Sequence, residues 1–170
     1  FDLNGYDQRV ASLAGDAGSV TNSAFALNTL TVRQSSSTTL TGTLNGNLTL
    51  RKEGAGVLTL APVDALGDAT TGNAYRGGTV LAGGLVSVAM DAALGAVPNA
   101  FDADNLNFVG GGLQATASFA LSARRGLTIG AAGGTLDVPV GVTLTVPGAV
   151  TAAGTLAKTG AGTLELTGAN

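Results

Sequence analysis

The chain has 170 residues, 45% of them hydrophobic, 11% charged and only 4% aromatic, with 27 Gly, a net charge of −3 and no Cys, His or Trp. Without Cys or His it has no disulfide staple, no Ser-His or Cys-His nucleophile and no Cys/His zinc site of its own. Its apolar content excludes a disordered chain, and its acidic balance lacks the basic face of a nucleic-acid binder.

From the N-terminus onward the apolar residues recur at every second position. Leu27, Leu30 and Val32 lie in a Thr-rich run, and Leu40, Leu44, Leu48 and Leu50 alternate with Thr and Gly. Leu58 and Leu60 flank Thr59, and Val80, Leu85, Val86 and Val88 surround Gly83-Gly84. Further on, Leu127 and Ile129 flank Thr128, Leu136 and Val138 flank Asp137, and Val142, Leu144 and Val146 alternate with Thr. Leu164 and Leu166 flank Glu165. Leu, Val and Thr in alternation, punctuated by Gly, Asn, Asp and Ser, predict short strands with one buried face. Residues 64–74 and 91–105 break this rhythm and are expected to be loop excursions. Ser118 to Arg125 has room for one helical turn before Gly126 stops it. The uncharged stretch from Val138 to Ala157 contains Pro139, Pro147 and three Gly, which argues against a membrane-spanning helix.

Short strands with tight turns fit either a β-sandwich or a β-solenoid. A sandwich needs hairpin dipeptides, and only Asn4-Gly5 and Asn45-Gly46 qualify. A solenoid needs internal repetition, and the chain has it. Residues 48–60, LTLRKEGAGVLTL, align with residues 154–166, GTLAKTGAGTLEL, and 8 of the 13 positions are identical. Lys52 matches Lys158, Gly54 matches Gly160, Gly56 matches Gly162, Leu58 matches Leu164, and Leu60 matches Leu166. The pattern predicts strand, tight turn, strand, with Leu50 and Leu58 inward. Gly56 and Gly162 are expected at positive φ.

The string GTLAKTGAGTLELTGAN at 154–170 resembles the autotransporter-associated β-strand repeat, also called the passenger-associated transport repeat. The first copy runs on through Gly77-Gly-Thr-Val80, Gly84-Leu-Val-Ser-Val88 and Ala93-Leu-Gly95, a succession similar to that family. Residues 1–22 and 133–145 are similar to the spacers between such repeats. Ala61-Pro62-Val63 departs from the usual Leu-Thr-Gly-Ala-Asn, and residues 64–74 look inserted. The resemblance implies a right-handed parallel β-helix in the exported passenger of a Gram-negative autotransporter. It implies display at the cell surface or release, by way of the periplasm and outer membrane. It also implies a partner outside this chain, the passenger's own C-terminal outer-membrane β-barrel translocator. Because the chain opens at Phe1 and stops within a repeat, residues 1–170 are expected to be one β-helix segment of a larger passenger. With about 20–30 residues per coil, it should form six or seven coils.

No catalytic, cofactor or metal site is expected. The repeat residues named above carry a structural role. Arg124-Arg125 is a candidate contact for an anionic glycan or lipid head group, although a solvated turn is the plainer reading. Tyr75 and Phe101, in the two excursions, are candidate contacts for a receptor, although they can equally cap the core. Asp102-Ala-Asp104-Asn105 opens like a calcium loop but lacks the ligands that should follow. The 11 acids are scattered over turns, with no pair alternating on a strand face as a glycosidase would need. The expected fold is therefore all-β, a parallel β-helix with a structural and secretory role. An adhesin that binds a host receptor, a glycan or another copy of itself is the alternative, and a polysaccharide-acting enzyme stands behind that.

Overall fold

A computed structural model describes residues 1–63 and 72–169. In chain order the first coil carries β1 (Gln8–Val10) and β2 (Ser19–Asn22). The second carries β3 (Asn28–Arg33), β4 (Thr38–Leu40) and β5 (Thr43–Gly46). The third carries β6 (Leu48–Glu53), β7 (Val57–Leu60) and β8 (Ala74–Tyr75). The fourth has β9 (Thr79–Leu81), β10 (Leu85–Val88) and a 3-10 turn, Asp91–Leu94. The fifth has β11 (Asp102–Phe108), β12 (Gly112–Ala115) and β13 (Phe119–Ala120). The sixth has β14 (Arg125–Ile129), β15 (Gly134–Asp137) and β16 (Thr143–Val146). The last has β17 (Val150–Ala152), β18 (Leu156–Thr159) and β19 (Thr163–Leu166).

Every strand pair is parallel, and each strand stacks on its counterpart one coil away. The first face is a seven-stranded sheet, β1-β3-β6-β9-β11-β14-β17, and the second a six-stranded sheet, β4-β7-β10-β12-β15-β18. The third face is split into β2-β5-β8 and β13-β16-β19, with the 3-10 turn standing between them. The protein is thus an all-β parallel solenoid of about seven coils. Register on the first face runs Gln8, Leu30, Leu50, Thr79, Leu106, Leu127, Val150, so coils take 22, 20, 29, 27, 21 and 23 residues.

Period two produces this arrangement directly. Inward positions fall on inward positions of the next coil, and parallel register puts like on like. Leu30, Leu50, Leu106 and Leu127 form one buried column, with Thr79 among them. Val86, Leu113 and Leu136 form another on the second face. Each is essentially inaccessible, and burial contributes about 25 cal/mol per Å² of apolar surface. A lone coil has no layer above or below to cover its Leu residues, which is why stacking is obligatory.

The secondary structure differs from the sequence reading in several places. Leu27 belongs to no strand; it lies outward at the corner before β3, 60% exposed. Residues 118–125 form β13 and a turn rather than a helical turn. The excursion expected over 91–105 is shorter, because Asp102–Phe108 is strand, and its first residues form the 3-10 turn. Most of the other expected excursion, 64–71, lies outside the described residues, while Ala74 and Tyr75 are strand. No helix among the described residues is long and apolar enough to cross a membrane.

Candidate functional site

The two copies of the repeat lie on different faces. In the first copy, β6 of the first face turns through Gly54-Ala-Gly56 into β7 of the second. In the second, β18 of the second face turns through Gly160-Ala-Gly162 into β19 of the third. The repeated unit is therefore a corner, used at two of the three bends.

Its chemistry is the same at both. Lys52 occupies an inward position, between Val32 below and Leu81 above, and is fully buried. Its stem lies in the core while Nζ donates to the carbonyl oxygens of Glu53 and Gly54, each at 2.9 Å, and Gly83 at 3.2 Å. Burial lowers the Lys52 pKa from its usual value. Lys158 stacks on Leu136 and repeats the local pair of bonds, to Thr159 O at 3.4 Å and Gly160 O at 2.6 Å. The lysine thus caps carbonyls that the corner turns away from the ladder.

The two glycines of each corner have distinct duties. Gly54 and Gly160 take φ of 78° and 72°, the left-handed region. Gly56 and Gly162, expected at positive φ, do not adopt it. Instead they touch the coil below: a Cβ on Gly56 would collide with the Ser36 carbonyl, and one on Gly162 with the Pro139 carbonyl. Leu58 and Leu60 are buried, whereas Leu164 is half-buried and Leu166 exposed in the last coil.

The excursion after β10 is built around Arg125, which is 0% exposed. Its Nε donates to Asp91 Oδ1 at 2.8 Å and Nη1 to Asn105 Oδ1 at 2.7 Å. Nη1 and Nη2 also reach the carbonyls of Leu94 (3.2 Å), Ala96 (3.4 Å), Asp91 (3.4 Å) and Gly95 (2.6 Å). Leu94, Gly95 and Ala96 stand at or just past the end of the 3-10 turn, where carbonyls run out of intrahelical donors. One guanidinium satisfies these carbonyls together and pairs with the Asp91 carboxylate. Arg125 therefore offers no surface to a ligand. Asn105, the fourth residue of the apparent calcium loop, is 1% exposed and turned in to Arg125, while Asp102 binds the amide of Asp104 and the Asn105 side chain. No three carboxylates among the described residues come together as a metal site.

Tyr75 is likewise inside, 1% exposed, with its hydroxyl 2.7 Å from Thr79 Oγ1. Burial pushes its pKa up to about 12. Its ring packs beneath Gly95, where a Cβ would lie 2.9 Å from the ring carbons. Neighbouring Asn73 accepts from Leu44 N at 2.8 Å and donates to Ala93 O at 2.7 Å, joining three successive coils. The other two candidates face out. Phe101 is 52% exposed, and Arg124 is exposed with Nη1 3.4 Å from Pro98 O.

Two outward arrays were not singled out from sequence. On the first face Arg9 and Arg51 hold the two oxygens of Glu53, at 3.0 and 2.8 Å. The Arg51 bond, then the charges of Arg9 and nearby Arg33, keep the Glu53 carboxyl below its usual pKa. On the second face Ser87, Gln114, Asp137 and Thr159 form a chain of side-chain bonds across successive coils, at 2.9, 2.6 and 2.8 Å. Neither shows as a motif, because its members sit a coil apart in sequence.

No family model, no curated protein and no solved structure matches the chain.

Proposed function

We propose that this chain is a structural, secretory segment of an autotransporter passenger, whose coils stack outside the cell and hold other regions away from the membrane. The observation that supports this reading most is the Lys-x-Gly-x-Gly corner. Residues 52–56 and 158–162 carry the repeat that resembles the autotransporter-associated family, and the same residues make the same bonds at two bends of a parallel solenoid. A stack of this kind also suits export as an extended chain. Each coil that emerges covers the apolar face of the one before, so folding on the far side favours onward movement. The partner in that step is the passenger's own outer-membrane β-barrel translocator, and the location is the bacterial surface or the medium.

An adhesin role is a second reading, supported by the outward Val97 and Phe101 on a rigidly held excursion, with exposed Arg124 bonded beside them. Three carboxylates that a catalytic reading could call on, Asp91, Asp137 and Glu53, are engaged in structural bonds.

Protease shaving of intact source cells, probed with an antibody to residues 1–170, tests the proposal. Loss of signal without lysis is expected. Protection until the outer membrane is opened would overturn surface display. In the full passenger, Leu164→Pro and Leu166→Pro should reduce the secreted amount; unchanged secretion would remove the coil-by-coil account of export.

A further inference from the structure

Between the excursion and the coil below it lies an open cavity of about 440 Å³, lined by Arg76, Ala96, Val97, Pro98 and Asn99. Its volume is in the range of small-ligand pockets, roughly 300–1,000 Å³. One wall is aliphatic, from Ala96 to Pro98. The rest is an amide and a guanidinium. Arg76 is exposed and makes no side-chain bond among the described residues. Arg124 reaches the rim through its bond to Pro98 O and leaves the rest of its guanidinium to solvent. Two such cations therefore stand around one concavity.

We propose that this cavity is a binding site for an anionic saccharide, a chain containing hexuronate units. Arg76 takes the carboxylate, in the paired geometry that guanidinium and carboxylate favour. The C–H face of the ring lies on Val97 and Pro98, and Asn99 meets the hydroxyls. Phe101, exposed at the end of the same excursion, offers a stacking face to the next ring.

The backbone around the site argues against an extended peptide as the occupant. A peptide that adds to a sheet needs free ladder groups. Here Ala96 N is bonded to Tyr75 O and Arg76 N to Gly46 O. The carbonyls of Leu94, Gly95 and Ala96 are taken by Arg125, that of Pro98 by Arg124, and Pro98 has no N–H. Recognition must therefore run through side chains. The Arg125 clamp also fixes the wall before any ligand arrives, which reduces the ordering cost of binding. The proposal does not depend on the export reading.

The test is titration calorimetry of the whole chain with tetragalacturonate, and with maltotetraose as a neutral counterpart. Saturable binding of the uronate alone, weakening as salt rises, is expected. Arg76→Ala should weaken it by at least about tenfold, and Arg124→Ala by about threefold. Arg33→Ala, on the separate first-face arginine group, should leave it unchanged. Thermal midpoints equal to the parent's would show that the variants remain folded. Absence of uronate binding would overturn the proposal. So would equal binding of maltotetraose, or binding that survives Arg76→Ala and is lost in Arg33→Ala. Competition by inorganic phosphate as effective as by free galacturonate would reduce the site to a bare anion site and also overturn it.

Discussion

Within residues 1–170 the Lys-x-Gly-x-Gly corner at residues 48–60 lies between two coils, and the one at residues 154–166 has only the coil below it. Their local geometry is nearly identical, down to the φ of Gly54 and Gly160 and the two carbonyls that each lysine caps. What differs is supplied from above. Lys52 has a third bond, to Gly83 of the next coil, and is fully buried; Lys158 is exposed. Leu58 is inaccessible, while Leu164 is only half-covered. The glycines show the opposite pattern, since the carbonyls that crowd Gly56 and Gly162 both belong to the coil below. The motif therefore has two kinds of residue. Its glycines answer to the preceding coil, and its lysine and leucines to the following one.

Substitutions can separate these two dependencies. The largest effect is expected at the leucines. Leu58→Ala leaves a cavity in a closed core and should cost about 3–5 kcal/mol in urea unfolding, against about 1 kcal/mol for Leu164→Ala. Equal costs would break the contrast. Next come the glycines. Gly56→Ala and Gly162→Ala should each cost about 2–3 kcal/mol locally, because backbone must move in both. The first lowers the unfolding midpoint. The second should instead release β19, visible as lost amide protection at residues 163–166 with the midpoint little changed.

Tyr75 offers a pH test of covered positions. Its pKa in the fold, about 12, lies above the reference value of 10.0. Its contribution is complete below pH 10 and is lost as pH rises toward 12. At roughly 1.4 kcal/mol per pKa unit the size is about 3 kcal/mol. In a Tyr6→Phe background, tyrosinate absorbance should appear only as the protein unfolds, and Tyr75→Phe should flatten the alkaline fall in stability. Early ionisation without unfolding would place the ring outside. The smallest difference is at the lysines. Lys52→Met should cost about 1 kcal/mol, since desolvation of the ammonium offsets part of its bonds, and Lys158→Met should stay within about 0.5 kcal/mol.

Much of the fold could be read from alternation and repetition. The Leu and Thr columns give strands, and the matched 13-residue segments favour a solenoid over a sandwich. The phase of the repeat could not be read. A 13-residue match does not say which bend it occupies, because the three corners present the same backbone problem. Arg125 was hidden for another reason. Next to Arg124 it reads as half of a solvated basic pair, yet alternation sends one guanidinium inward and the other out. Its partners, Asp91 and the carbonyls of residues 94–96, lie about thirty residues upstream. Asp102–Phe108 looked like loop because its opening residues are polar, while its register is set by Leu106 and Phe108 and by Asn105 turned in to Arg125. Tyr75 looked like a loop aromatic because it follows a segment without alternation. The cavity joins Arg76 to Ala96 through Asn99, so no local motif announces it.

The central claim is that each coil owes its stability to the coil stacked on it. Native-state hydrogen exchange in this 170-residue chain tests it most directly, by comparing the amides of residues 58–60 with those of residues 164–166. Matched local geometry with unequal cover predicts that the first set exchanges only through a large cooperative opening and the second through fraying of the last coil. Equal protection of the two sets would contradict the account and put the stability within the corner itself.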